Sequence, residues 1–282
     1  MPLIGKALKP IVMPRYVKFS SPTAFTLGII GSKKWDGTIE YSTDGQAWQP
    51  WDGTSGIGSA LIGNNYKLFV RGYGNTIITG ESAGTDNGAW HITEGSNVSV
   101  SGLISSLIDY RRVPTSIGDN AYKNLFGWKS PGDTKIVDAS KLIIDGPISG
   151  ACCGGMFSRN KGLIEGPKFP SLTLANYCYQ SAFYQCEALT VLPRLYATNL
   201  PIGCYSSLFN GCTSVKVYTS SGSGHTTAYR IPIEGTGIDQ GSGTADSALG
   251  GIFTGTGGDF HPYDDSAKVN VTYYVSNQIA DN

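Results

Sequence analysis

Charge is scarce in this chain. Asp, Glu, Lys and Arg make up 15% of its 282 residues, against about 25% in an average soluble protein. The two signs balance at 21 each, so the formal net charge is zero. Binding nucleic acid as a main activity needs a basic face to neutralise phosphates, and this composition argues against it. Histidine is scarcer still. His91, His225 and His261 are the only three, none within metal-ligand spacing of another His or of Cys. No Cys-x-x-Cys pair exists, so zinc is not expected. His261-Pro262-Tyr263-Asp264-Asp265 is rich in oxygen but lacks a calcium-loop pattern. There is no Gly-x-Ser-x-Gly elbow and no Cys/His pair signalled. Gly235-x-Gly237 precedes no helical pattern, which excludes a dinucleotide fingerprint. No catalytic residue, metal or cofactor is expected.

Long apolar runs are also missing. No stretch of about 20 apolar residues is present, so no membrane span is expected. The opening residues MPLIGKALKPIVMPRYVKF are broken by Pro2, Pro10 and Pro14 and lack a small-residue cleavage site. They do not read as a signal peptide, and assembly without export is the expectation. Residues 1–14 read instead as an extended arm, with Lys6, Lys9 and the adjacent Arg15 as candidate anchoring residues.

What the chain does have is a repeat. Leu174, Cys178, Tyr179, Phe183, Cys186 and Leu189 recur as Leu200, Cys204, Tyr205, Phe209, Cys212 and Val215, each 26 residues on. Ile148, Cys152, Met156 and Phe157 match one period upstream. Ile117, Ala121, Tyr122, Leu125 and Phe126 match again after a short insertion. Ala248, Leu249, Ile252 and Phe253 form a degenerate copy. A fixed period of this length is the signature of a stacked architecture. The expected repeat core is Phe126, Phe157, Phe183, Phe209 and Phe253, with Cys152, Cys178, Cys204, Leu189 and Val215. Within a copy, Cys178, Tyr179, Ala182 and Phe183 sit at i, i+1, i+4 and i+5, which predicts one face of a short helix. Leu189–Leu192 then alternates as a short strand ended by Pro193. All six cysteines lie inside the repeats and are expected as a buried, reduced ladder.

The other segments follow from composition. Residues 15–101 alternate or run apolar at strand length around Tyr16–Phe19, Phe25–Ile29, Thr38–Ser42, Tyr66–Arg71, Thr76–Ile78 and Asn97–Val100, separated by turns at Asp36-Gly37, Asp44-Gly45, Asp52-Gly53 and Asn64-Asn65. This predicts an antiparallel β-sandwich. Residues 102–114 read as a linker that caps the stack, and 115–220 as the stack itself. Residues 221–243 read as an exposed Gly/Ser-rich loop or short hairpin, and 244–282 as the degenerate repeat with a C-terminal cap. Trp35, Trp48 and Trp51 lie close together in sequence; exposed they would form a binding platform, buried they are sandwich core. Tyr177, Tyr184 and Tyr196 fall off the repeat's apolar face and are candidate contact residues. Ser42-Thr43-Asp44-Gly45-Gln46-Ala47-Trp48 resembles the Asp-box of sialidases but is one residue short and occurs once, so a hairpin turn is the plainer reading.

Three stretches carry a wider resemblance: Ile117-Gly118-Asp119-Asn120-Ala121-Tyr122, Leu174-Ala175-Asn176-Tyr177-Cys178-Tyr179, and Phe209-Asn210-Gly211-Cys212-Thr213-Ser214. They resemble the BspA-like leucine-rich repeats of Bacteroidetes surface proteins and of their crAss-like phages. The resemblance implies an α+β or mainly β chain, a sandwich followed by a leucine-rich-repeat solenoid with a short helix and strand per repeat. It also implies a binding or structural role rather than an enzymatic one. With no export signal expected, the first reading is a phage virion protein. It would be a head-fibre, decoration or tail-fibre component that is homo-oligomeric, attached to other virion proteins by its arm, and in reach of host-surface glycans. The second reading is a bacterial cell-surface adhesin. A glycan-active enzyme comes third, since no carboxylate pair is apparent.

Overall fold

A computed structural model describes residues 15–80, 88–127, 135–230, 248–263 and 271–279. Their strands, in chain order, are β1 Val17–Ser21, β2 Thr26–Ile29, β3 Thr38–Ser42, β4 Gln49–Pro50, β5 Ile57–Gly58, β6 Ala60–Ile62, β7 Asn65–Tyr73, β8 Trp90–Glu94 and β9 Val98–Leu103. There follow β10 Ile136–Ile143, β11 Val191–Leu192, β12 Val217–Tyr218, β13 Thr227–Arg230, β14 Thr272–Val275 and β15 Gln278–Ile279. A single 3-10 turn, Ile104–Leu107, is the only helical element among the described residues. The chain is thus mainly β.

Alternation builds the first sheet, of order β10-β9-β1-β7-β3-β4 with β6 also on β7. In β1, Val17 and Phe19 are buried while Lys18 and Ser20 point the other way. In β9, Val98 and Val100 are buried while Ser99 and Ser101 are not. That two-residue period gives the sheet one core face and one open face. A second sheet, β5-β2-β8, contributes Leu27, Ile57, Trp90 and Ile92 to the same buried cluster. Thr76–Ile78, expected as a strand, forms none; the Ile78 N–H instead donates to the Ala121 carbonyl in the first repeat.

The sheet does not stop at residue 101. β10, from within the stretch expected as repeats, pairs in parallel with β9. Parallel bridges then run from Asp138 to Glu165 and from Glu165 to Val191, and β11 pairs in parallel with β15. One ladder therefore passes from the antiparallel strands into the repeats, so the sheet is mixed rather than purely antiparallel.

The short helix expected in each repeat is not formed. The segment is a ribbon of consecutive β-turns with a left-handed residue every fourth position: Ala151, Gly155 and Arg159; Tyr177, Ser181 and Gln185; Gly203, Ser207 and Gly211. N–H groups alternate in where they point. Those of Gly154, Met156 and Ser158 donate three residues back. Those of Cys153, Gly155 and Phe157 donate across to the carbonyls of Cys178, Gln180 and Ala182 in the next row. An α-helix would keep these donors to itself; the ribbon spends half of them on joining rows. Spacing of i, i+1, i+4 and i+5 suits both structures, but a four-residue turn period keeps the apolar pair in place where a 3.6-residue helix drifts. Glycine and asparagine at many of the left-handed positions favour the turn.

Five rows stack this way, those centred on Phe126, Phe157, Phe183, Phe209 and Phe253. Their rings form one column, with successive centroids 5.2, 6.0, 5.8 and 6.2 Å apart. Each ring is buried, which stabilises by about 1.5–3 kcal/mol per large side chain. Tyr179 and Tyr205 stack beside it at 6.1 Å, and Leu189 and Val215 are fully buried. Residues 227–230, expected in a loop or short hairpin, form β13, which among the described residues pairs with β14 some forty residues on. Tyr229 is buried there and donates to the Pro193 carbonyl at 2.8 Å. The rest of the expected loop, from residue 231, lies outside the described residues.

Candidate functional site

The open face of the first sheet carries an arrangement suited to a ligand. Pairing register sets two rows across the strands. One runs Lys18–Ser101–Lys141 over β1, β9 and β10; the other runs Lys67–Ser20–Ser99–Asp138 over β7, β1, β9 and β10. Small serines between Lys18 and Lys141 leave a groove of about 260 Å³, further lined by Pro22, Asn65 and Asn97. Lys18 is half-buried at its centre. That burial, and then the charges of Lys67 and Lys141, hold its pKa below the ordinary lysine range. None of the three lysines makes an ion pair among the described residues. Asp138 is the one carboxylate lining the groove among the described residues. It accepts the Ser140 N–H at 2.8 Å and lies beside Glu165, whose pKa is raised by burial and by Asp138 itself. The groove can hold an anion with hydroxyl, amide and ammonium donors. It presents no nucleophile–base pair.

Of the two alternatives for Trp35, Trp48 and Trp51, platform or sandwich core, Trp35 and Trp51 take the core. Trp35 and Trp51 are buried with Trp90, centroids 5.3 to 6.2 Å apart, between the two sheets. Large rings separated by a turn serve better as core than as surface, because each removes a large apolar area from water. Trp48 stands apart and half-buried. The Arg71 guanidinium packs at 3.8 Å on both Trp48 and Tyr110, and its Nε donates to Glu40 Oε2 at 2.8 Å. In the turn resembling an Asp-box, Ser42 Oγ accepts the Gly45 N–H and Asp44 Oδ1 accepts the N–H groups of Gln46 and Ala47. Those bonds hold Asp44 below the usual carboxylate range. These bonds close the turn.

Tyr177 and Tyr184 lie in the third row, half-buried; Tyr177 is one of the left-handed residues, and Arg159 sits 5.8 Å from the Tyr184 ring. Tyr196 lines a separate hollow of about 160 Å³ with Arg194, Tyr229 and Arg230. Lys6 and Lys9 fall outside the described residues. Arg15 is not part of a free arm. Its guanidinium donates to the carbonyls of Asp109, Tyr110 and Arg112 at 2.7–3.0 Å and so ties β1 to the turn after the 3-10 segment.

All six cysteines are free and buried. Cys186 and Cys212 donate to the carbonyls of Phe157 and Phe183 at 3.1 and 3.0 Å, one row back. Asn160 holds the same position one row earlier, reaching the Phe126 carbonyl at 3.5 Å and leaving its own Oδ1 without a partner. Burial pushes the thiols of Cys153, Cys178 and Cys186 well up, and that of Cys204 to about 12. Such thiols pack and donate; they are not activated nucleophiles. Among the described residues no group of three His, Cys, Asp or Glu could hold a metal, and no helix is long and apolar enough to cross a membrane.

Sequence reasoning missed the groove. Alternation in Lys18-Phe19-Ser20 and Ser99-Val100-Ser101 shows which residues leave the core, but only register brings Lys18, Lys67 and Lys141 together. In comparison with known proteins, the chain matches no family model, no curated protein and no solved structure.

Proposed function

We propose that the chain is a non-enzymatic structural component of a phage virion. It is a capsid- or tail-attached appendage built as a β-sandwich followed by a short solenoid of BspA-like repeats, in which turn ribbons replace helices. The observation that carries this reading is the division of labour within the molecule. Thiols and aromatic rings are sealed in a stacked core, while the cations and hydroxyls stay on an open sheet face that offers binding but no reaction chemistry. The residues before Arg15 attach the appendage to other virion proteins, and copies of the chain associate with one another. In this reading the open sheet face meets the host surface.

Co-sedimentation with purified particles tests the attachment. The full chain should pellet with them and a chain lacking residues 1–14 should stay in the supernatant. If neither form pellets with particles and the full chain instead adheres to bacterial cells, the protein is an adhesin and the virion reading falls.

A further inference from the structure

We infer that the groove lined by Lys18 and Lys141, with Lys67 beside it on β7, is a binding site for an acidic glycan segment, a sugar unit carrying a carboxylate or sulfate. The inference rests on the binding role proposed above and names the ligand class of that face.

Charge is the first argument. On a solvent-facing sheet, cross-strand neighbours of opposite sign stabilise and like charges destabilise. Lys18 faces Phe69 and Ser101 directly, with Lys67 diagonal to it on β7 and Lys141 beyond Ser101 on β10, and both of those charges act on it; none of the three is ion-paired among the described residues. In a chain with only 21 basic residues, two are placed where their charge acts against that of Lys18. An anion seated between them would remove that repulsion. Asp138 does not, because it stands at the groove's end beside Glu165 with its Oδ1 accepting the Ser140 N–H.

The lining is the second argument. Between the ammonium groups lie hydroxyls of Ser20, Ser99 and Ser101 and amides of Asn65 and Asn97. Such groups donate to and accept from sugar hydroxyls, while lysine ammoniums take the acid group. The volume, about 260 Å³, falls just under the roughly 300–1,000 Å³ of common small-molecule pockets. It suits one compact charged unit of a longer chain. No aromatic ring lines the groove among the described residues, and exposed Pro22 is its one accessible aliphatic side chain there.

Equilibrium titration of the full chain against oligogalacturonate tests this, with a maltooligosaccharide as neutral control and polyglutamate as acidic peptide control. The acidic sugar should bind, weaken with added salt, and exceed both controls. Lys18→Gln and Lys141→Gln should each weaken it by about tenfold, the order expected for losing one charge-assisted hydrogen bond. Ser101→Leu, which fills the groove without changing charge, should weaken it as well. Melting temperature should be kept or raised in Lys18→Gln, since a repulsion is removed, so lost binding there is not lost folding. Equal binding of the neutral sugar, equal binding of polyglutamate, or unchanged binding in the lysine variants overturns the inference. These failures leave particle attachment intact, whereas failed attachment with glycan binding retained would sink the virion reading alone.

Discussion

The sheet half and the stacked half bury their aromatic rings in opposite ways. Between the sheets, Trp35, Trp51 and Trp90 meet at 37°, 69° and 83°, three unlike positions contributed by distant segments. In the stack, Phe157, Phe183, Phe209 and Phe253 meet at 16°, 7° and 7°, the same position repeated. An irregular cluster is specified by the fit of unlike shapes and fails as a unit. A column is specified by repetition, and each row touches only its neighbours, so its stability is nearly a sum of local terms.

The comparison breaks most visibly under large-to-small substitution. Phe183→Ala and Trp51→Ala should each lose about 3–5 kcal/mol in denaturant unfolding, but hydrogen exchange should separate them. Phe183→Ala should expose amides of its own row and of the rows at Phe157 and Phe209 while β1, β7 and β9 stay protected; Trp51→Ala should open both sheets together. Equal loss of protection in β1 for the two variants would erase the distinction.

A backbone change sharpens it next. Ser181 sits at φ 56°, where a β-branched residue is strained. Ser181→Val should cost about 1–2 kcal/mol in thermal unfolding, and Ser181→Asn should be near neutral. If the ribbon were a helix, valine would be nearly harmless there.

Smaller still is the defect at Asn160. Its Oδ1 is buried without a partner, where the equivalent Cys186 and Cys212 have none to satisfy. Asn160→Cys should stabilise by roughly 1 kcal/mol, the low end of the cost of an unpaired buried acceptor, and a loss of stability would show that the three positions are not equivalent.

Acid gives the gentlest contrast. Thr76 and Ile77 donate to Asp36, whose pKa stays low although burial opposes it, while Arg111 donates to Asp109 and Thr54 to Asp52. In the second half Thr219 does the same for Asp259. Folded-state pKa values below the unfolded ones add stability that is present above about pH 4 and fades as pH falls further. Circular dichroism of the tryptophan band should therefore weaken in acid before the amide signal of the rows does.

Much of this was legible in the chain. The 26-residue offset reappears as ring stacking, alternation marks β1 and β9, and an apolar run marks β7, because each is a local record of which side chains leave water. The turn ribbon was hidden because i, i+4 spacing serves a helix and a four-residue turn period alike. The deciding signal was backbone preference, carried by Asn120, Asn124, Gly155, Gly203 and Gly211. The parallel entry of β10, the pairing of β13 with β14 and the meeting of Lys18, Lys67 and Lys141 all depend on register between distant segments. Local pattern does not encode that. Trp35 and Trp51 needed the same information to be placed inside.

The most direct test of the functional account is immuno-electron microscopy of intact phage particles and of uninfected host cells with antibody against the folded protein. The account predicts label on particles, at head or tail, and bare cells. Label on the surface of uninfected cells, with bare particles, would contradict it.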